Sequence, residues 1–504
     1  MQRRQLLLLT FFAAVLVIAR AASFCDLPEW DIATYSLIAD ELVHGRGLYT
    51  DIWDMKPPAI FYTYAVLQTA FAASPLSVYL LSVLTAVATL AAVWLVARRS
   101  SLTAAGWAGA VFVAICFEPF SAASMPNTEA FINLFLTLAW AMLLRAGGGQ
   151  RGWMLVLLAG ACASWASMYK HVAIAPAVLL ALAHAVVPPT AIARRTAVAH
   201  ALAFVAMIAA GWLLLFGWFA VTGRAQIFIQ TVFVYPRYYA GGMINNLLAS
   251  FTPAAWQRAP MVVIWPMLLL CLLGWVARLM QRRPDNMIAA QSPRFMVLLI
   301  AMLAGAHVAV ALPGQFAAHY YQLWYPALAI ACGCASSSLI NSLPRRQWIG
   351  HLAAALTVAA IVAPQWPWYQ LPGEEWSRKR YGKLFMDARA DMLAIQSTLQ
   401  PHDDIYIWAD EPWLYRVAGK RARYAGVWKM HCLDGPMAQR LTDTTLIQLQ
   451  QNPPKLFVFW SDPAPISHPI VAWALEHYDP LPGTPTYPMR FYARRSPATQ
   501  PVSN

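Results

Sequence analysis

The sequence predicts a polytopic α-helical membrane protein that carries a small C-terminal α/β domain. Three observations lead there. The 504 residues are 59% hydrophobic and only 12% charged, with mean hydropathy +0.49, whereas a water-soluble domain carries about a quarter charged residues. The apolar residues gather into runs of roughly 17–25, the length that crosses a bilayer as a helix. After Gln365 the character changes: charge rises and the long apolar runs stop.

The apolar runs lie at 6–22, 76–97, 103–117, 127–144, 153–169, 172–187, 198–221, 261–277, 296–312, 322–341 and 349–364, about eleven candidate spans. The loops between them alternate in charge. Arg3 and Arg4, Arg98 and Arg99, Arg145 and Arg151, Arg194 and Arg195, Arg278, Arg282, Arg283 and Arg294, and Arg345 and Arg346 fall in alternate short loops, where Asp285 is the only acid. An excess of arginine marks the cytoplasmic side. The opposite loops hold Asp26, Glu29, Asp31, Asp51, Asp54, Glu118 and Glu129 and face the exterior or periplasm. The net charge of +13 therefore reflects topology, and no nucleic-acid partner is expected. Arg3-Arg4, an apolar run and Ala19-Arg20-Ala21 also resemble a cleavable signal peptide; an uncleaved first helix is the preferred reading. An odd number of spans then puts the N-terminus inside and everything after about residue 365 outside.

Cysteine adds little. Cys116, Cys162, Cys271 and Cys332 lie in or at the ends of spans, with Cys334 near them. Cys25 and Cys432 are on the oxidising side, and their pairing is left open. No spacing suggests a zinc site. In the C-terminal region HDDIYIWAD (402–410) alternates like a short strand, and KLFVFW (455–460) reads as a buried strand after the turn signal Asn452-Pro453-Pro454. Segments near 383–399 and 436–451 have helical spacing. The expected division is thus a membrane domain over 1–365, an outer α/β domain over 366–494 and a flexible tail over 495–504.

The first outer loop, 23–75, is long and rich in reactive side chains: PEWDIATYSLIADELVHGRGLYTDIWDMKPP. Helical spacing over 31–44 suggests an amphipathic helix on the membrane surface, ended by Gly45 and Gly47. Pro57 and Pro58 suit the first turn of a second one, AIFYTYAVLQTAF. Acids and a lysine at the outer boundary of a bilayer are costly unless paired or used.

This loop resembles the first periplasmic loop of bacterial GT-C glycosyltransferases, the relatives of the protein O-mannosyltransferases and of the lipid A aminoarabinose transferases. The matching residues are Trp30-Asp31 with Tyr35, then Gly45, Tyr49, Asp51, Trp53, Asp54, Lys56, Pro57 and Pro58. PNTEAFINLF (126–135) resembles the family's second acidic loop, MYKHVA (168–173) a recurring lysine at a helix end, and GQFAAHYYQLWYPALA (314–329) a late His-Tyr segment. Many relatives carry Asp-Glu at the first acidic motif; here Ile32 follows Asp31, so that second carboxylate is missing.

The resemblance implies a GT-C-like fold in a bacterial inner membrane, with the active site facing the periplasm. It implies a polyprenyl-phosphate sugar as donor, a lipid, glycan or protein as acceptor, and inversion at the anomeric carbon. On the motif, Asp31 is the general base; on position alone an N-cap reads equally well. Lys56 is read as holding the lipid phosphate, beside a helix start that also favours an anion; an interfacial lysine reaching for water is its bland counterpart. Asp51 and Asp54 either bond sugar hydroxyls or order the turn. Glu129 assists Asp31, binds a divalent metal, or simply suits a first helical turn. Lys170 with His171 line the site or cap a hairpin. Arg237, in VYPRYYAGG, reaches phosphate or anchors an aromatic interface. His319 with Tyr320 touch the donor or pack at a helix start. Trp30, Trp53, Tyr62 and Tyr64 stack on sugar or, for most of them, form an interfacial aromatic belt. A divalent metal is left open and no other cofactor is implied. Competing classes are a ligase of lipid-linked glycans, a flippase or transporter of lipid-linked sugars, and a non-catalytic scaffold. A flippase would place its polar breaks at mid-membrane, whereas the unusual residues here cluster at one face.

Overall fold

The computed structural model describes residues 3–21, 24, 29–280, 292–460, 463–484 and 487–495. Cys25, and with it any pairing to Cys432, lies outside the described residues, as do Asp26, Arg282, Arg283, Asp285 and the tail beyond Arg495. Each apolar run forms a helix: Arg3–Ala21, Pro75–Ala97, Leu102–Ile115, Thr128–Leu143, Gly149–Ser167, Ile174–Val186, Arg194–Val221, Met261–Met280, Pro293–Ala311, Tyr325–Ser342 and Gln347–Val362. Among the described residues six helical segments are long and apolar enough to cross a membrane by length and composition, the last being Ala318–Ser342, and several others are apolar but shorter. Residues 318–324 form a tighter 3₁₀ turn before Tyr325–Ser342, whose proline sits in the first turn, where its missing N–H costs nothing.

The chain divides into two compact units. The first comprises Met1–Phe24, Tyr79–Gly217 and Ala240–Leu371; the second comprises Cys25–Val78, Trp218–Tyr239 and Pro372–Asn504. Within the first unit, helices meet where a side chain is absent. A Cβ on Gly333 would lie 2.2 Å from the Ala104 carbonyl oxygen, and one on Gly305 would lie 2.3 Å from the Pro176 Cα. Apolar helices in lipid gain no hydrophobic drive from each other, so close backbone approach through small residues holds them together. Arg20, buried at the end of the first helix, donates to the carbonyl oxygens of Ser124 (2.7 Å), Ala123 (2.9 Å) and Cys116 (3.3 Å). It thereby satisfies backbone that no helix can.

The second unit is discontinuous in sequence. Its sheet has strand order β1-β2-β4-β3, with β1 Ile405–Trp408, β2 Leu456–Trp460, β3 Tyr478–Pro480 and β4 Met489–Arg494. β1 runs parallel to β2, pairing Ile405 with Leu456, and β4 runs antiparallel to it. The two strands read from sequence, β1 at one edge and β2 inside the sheet, are almost wholly buried; β3 is three residues long and ends in Pro480, β4 follows Pro488, and both escaped pattern reading. The first-loop helices are Trp30–Val43 and Ala59–Phe71. Trp30–Val43 departs from the amphipathic surface helix its spacing predicts: every residue from Ile32 to Ala39 is buried. The reason is cover on several sides. Gln68 of Ala59–Phe71 donates to Ser36 Oγ at 2.9 Å, Trp428 to Thr34 Oγ1 at 2.9 Å, and Arg416 to Ser36 Oγ at 2.9 Å. Polar Thr34 and Ser36 point at C-terminal partners, not at water.

Candidate active site

Asp31 lies in the first turn of Trp30–Val43, and Glu29 takes the N-cap position without a side-chain cap bond, so Asp31 does not cap the helix. Its Oδ1 is 3.5 Å from Lys56 Nζ, and the lysine sits 5.8 Å from the centre of the Tyr35 ring. The loop that delivers Lys56 is tightly determined. Gly47 N–H donates to Asp51 Oδ2 at 2.7 Å, which closes the turn and gives Asp51 an ordering role. Tyr49 adopts φ +71°, and its hydroxyl donates to the Lys56 carbonyl oxygen at 2.7 Å. Asp54, buried, accepts the Lys56 N–H at 2.9 Å. Burial raises the Asp54 carboxyl above the usual range, and the Lys56 charge and hydrogen bond oppose the shift.

The aromatic residues of the loop do not form an interfacial belt. Trp53 and Tyr64 are buried within the protein: Trp53 Nε1 donates to Thr231 Oγ1 at 2.8 Å, and Trp30 Nε1 donates to Glu411 Oε2 at 2.5 Å. Tyr62 is the exposed one. A histidine that the sequence reading passed over joins this cluster. His431, from the short helix Lys429–Leu433, packs edge-on to Trp53 at 5.1 Å and shares a 2.6 Å hydrogen bond with the Tyr235 hydroxyl. Its pKa is pushed down to about 3, first by burial and next by the Lys56 charge, against an opposing pull from Asp31. No local motif announces His431; only the tertiary fold brings it to the DxWDxKPP loop.

A second cluster forms within the first unit. Glu129, fully buried in the first turn of Thr128–Leu143, pairs with Lys170 Nζ at 2.9 Å and accepts from Thr128 Oγ1 at 2.9 Å. The same ammonium lies 3.4 Å from the centre of the Tyr320 ring, a cation–π geometry, and the His319 ring stands edge-on to Tyr320 at 4.6 Å. Four residues picked from three separate sequence motifs thus converge. His171 stacks on Trp212 at 5.0 Å. Arg237 is exposed, and no ion pair to it is found among the described residues.

A divalent metal does not fit the residues present. Among the described residues no three His, Cys, Asp or Glu side chains converge. Glu129 is engaged by Lys170 and Thr128, and Asp31 by Lys56.

No family model and no curated protein matches the chain. Solved structures match it in fold over nearly its whole length. The structure of ArnT from Cupriavidus metallidurans bound to undecaprenyl phosphate has a TM-score of 0.62 at 15% identity, over 98% of this chain and 99% of that one. The archaeal oligosaccharyltransferase AglB from Archaeoglobus fulgidus, in complex with an inhibitory peptide and a dolichol-phosphate, has a TM-score of 0.55 at 13% identity, over 99% of this chain and 75% of that one. At such identities the likeness is one of fold: this chain has the GT-C fold of polyprenyl-phosphate-dependent membrane glycosyltransferases.

Proposed function

We propose that this chain is a membrane glycosyltransferase that moves a sugar from a polyprenyl phosphate to a lipid, glycan or protein acceptor, with inversion, at the periplasmic face of a bacterial inner membrane. The observation that carries the reading is the Asp31–Lys56 pair, 3.5 Å apart, set in a loop that Asp51, Asp54 and Tyr49 order through hydrogen bonds. The neighbours' fold and the undecaprenyl phosphate bound to ArnT support the donor class.

The chemistry follows from the pair. The two opposite charges face each other while the site waits. The donor phosphate competes with Asp31 for the lysine ammonium. Because the Lys56 main chain is pinned at its N–H by Asp54 and at its C=O by Tyr49, this exchange needs only the side chain to swing. Asp31, relieved of its cation, takes the proton of the acceptor hydroxyl or amine. The acceptor atom bonds to the anomeric carbon as the bond from that carbon to the phosphate oxygen breaks on the opposite face. The electron pair leaves with the phosphate, and Lys56 offsets the charge growing there. Glu129, Lys170, His319 and Tyr320, which converge within the first unit, and the exposed Arg237 are read as donor contacts on the family resemblance. No step is routed through a metal.

The test is transfer from a panel of radiolabelled polyprenyl-phosphate sugars to membrane lipid and protein fractions, at equal folded amounts. Asp31→Asn is expected to lower kcat by about 10²–10⁴-fold, the usual worth of a general base. Wild-type rates in that variant would remove Asp31 as the base. Transfer from lipid-diphosphate glycans alone would make the protein a ligase instead.

A further inference from the structure

Lys56 acts, on the reading above, through an ammonium that must be presented to a phosphate. What decides where that ammonium stands is the short run Trp53-Asp54-Met55-Lys56, and Trp53 is the side chain that ties this run to distant segments. Trp53 is only 2% exposed. It is gripped by two segments distant in sequence: Thr231 takes its indole N–H, while Tyr235 and His431 each place a ring edge-on to it at 5.1 Å. Tyr235 and His431 are in turn locked to each other by the 2.6 Å hydrogen bond between the phenol hydroxyl and Nδ1. Rings in T-shaped contact fix one another's orientation as well as their distance. The main chain next to His431 is constrained too: Lys429 N–H donates to the Ala409 carbonyl oxygen at 3.1 Å, after strand β1, so the imidazole is mounted on the sheet and not on a free loop.

We infer that His431 is a positioning residue for the Lys56 loop, acting through the Tyr235 hydroxyl and the Trp53 ring, so that the C-terminal segment takes part in setting the phosphate-binding lysine. The inference rests on Lys56 having that role. The imidazole suits the post because it can bond Tyr235 without carrying a charge. A cation at this position would oppose Lys56, and burial keeps His431 neutral. Phenylalanine would preserve the contact with Trp53 and lose the bond to Tyr235; phenylalanine at 235 would lose the same bond from the other side.

The experiment uses the full chain in lipid nanodiscs, with a short-chain polyprenyl phosphate lacking sugar as the probe, and reads its Kd together with the Tm of each variant. His431→Phe and Tyr235→Phe are each expected to weaken binding about tenfold, the scale of one hydrogen bond's net worth, with Tm little changed. The double variant is expected to bind no more weakly than the worse single one, because both remove one bond. In a Lys56→Ala background, His431→Phe is expected to add nothing, since no ammonium is left to position. Wild-type affinity in both His431→Phe and Tyr235→Phe would overturn the inference, as would a further loss in the Lys56→Ala background, which is the mark of general structural damage. Should His431→Phe fold poorly, Tyr235→Phe, which deletes one oxygen, decides alone. If Lys56→Ala itself leaves the Kd unchanged, the phosphate role of Lys56 fails first, and the two failures are told apart.

Discussion

Both polar main-chain groups of Lys56 are engaged, the N–H by Asp54 and the C=O by Tyr49. Asp54 thus works through one oxygen, and its charge is incidental to that task. Asp54→Asn keeps an acceptor oxygen and is expected to hold the loop, whereas Asp54→Ala strands the Lys56 N–H and is expected to cost about 1–3 kcal/mol, read as a fall in Tm. The pH dependence has a definite sign. Burial raises the Asp54 carboxyl in the folded state, so its contribution to stability is full below the ordinary carboxylate value and is lost as pH rises through the raised folded value. Thermal unfolding across the acid range should show that slope in the wild type and a shallower one in Asp54→Asn. A steeper slope in the variant would contradict this account.

The helix Trp30–Val43 shows how an element acquires partners that its own spacing does not reveal. Helical periodicity placed it correctly, and the glycines past its end stopped it, with Gly45 at φ +81°. Its acids, however, are not a solvated face. Glu41 is fully buried and accepts from Arg421 Nε at 2.7 Å and Arg46 Nη1 at 3.3 Å, and Asp40 stands 3.8 Å from Arg416. Removing one member of a buried charge cluster leaves the rest uncompensated. Both arginines keep about a quarter of their side-chain surface, 26% and 22%, which moderates the effect. Glu41→Ala is expected to cost about 3 kcal/mol, the low end of the range for breaking a buried pair. The exposed Arg423–Asp404 pair, at 3.0 Å, is the control: Asp404→Ala should cost no more than about 1 kcal/mol. Equal Tm shifts for the two would show that the Glu41 cluster is not buried in solution.

At the scale of the molecule, the second unit is assembled from three stretches of chain, Cys25–Val78, Trp218–Tyr239 and Pro372–Asn504. Within it, residues of the last stretch have partners in the first: Arg416 and Arg421 on the acids of Trp30–Val43, Trp428 on Thr34, Gln448 on the Asp51 carbonyl oxygen at 3.0 Å. A segment 372–504 expressed alone would expose these groups unpaired. It is expected to show broad, weakly cooperative unfolding by circular dichroism, and a sharp transition would show that the C-terminal stretch folds unaided. The side of the membrane it occupies is open to a direct check. A reporter that needs the oxidising exterior, fused after Arg495, should be active, and one that matures only in the cytoplasm should be silent; the reverse pattern would overturn the arginine-based orientation.

Some of this was legible in the residues alone. Bilayer-length apolar runs predict helices because backbone hydrogen bonds must close within each segment in lipid, and every such run is helical here. The DxWDxKPP loop announced itself because carboxylates and a lysine are costly at an apolar boundary, and Asp31 and Lys56 are found together. Glu129, Lys170, His319 and Tyr320 were picked out by the resemblance of three short segments, though not as one group. What only the tertiary structure decided is which distant segments meet. His431 and Tyr235 carry no local pattern, because their role comes from a ring and a hydroxyl placed by the sheet and by the 218–239 stretch. The burial of Trp30–Val43 on all sides, and of Trp53 and Tyr64, was equally invisible. Periodicity records how a helix is made, while its partners are set by long-range packing that no window of sequence contains.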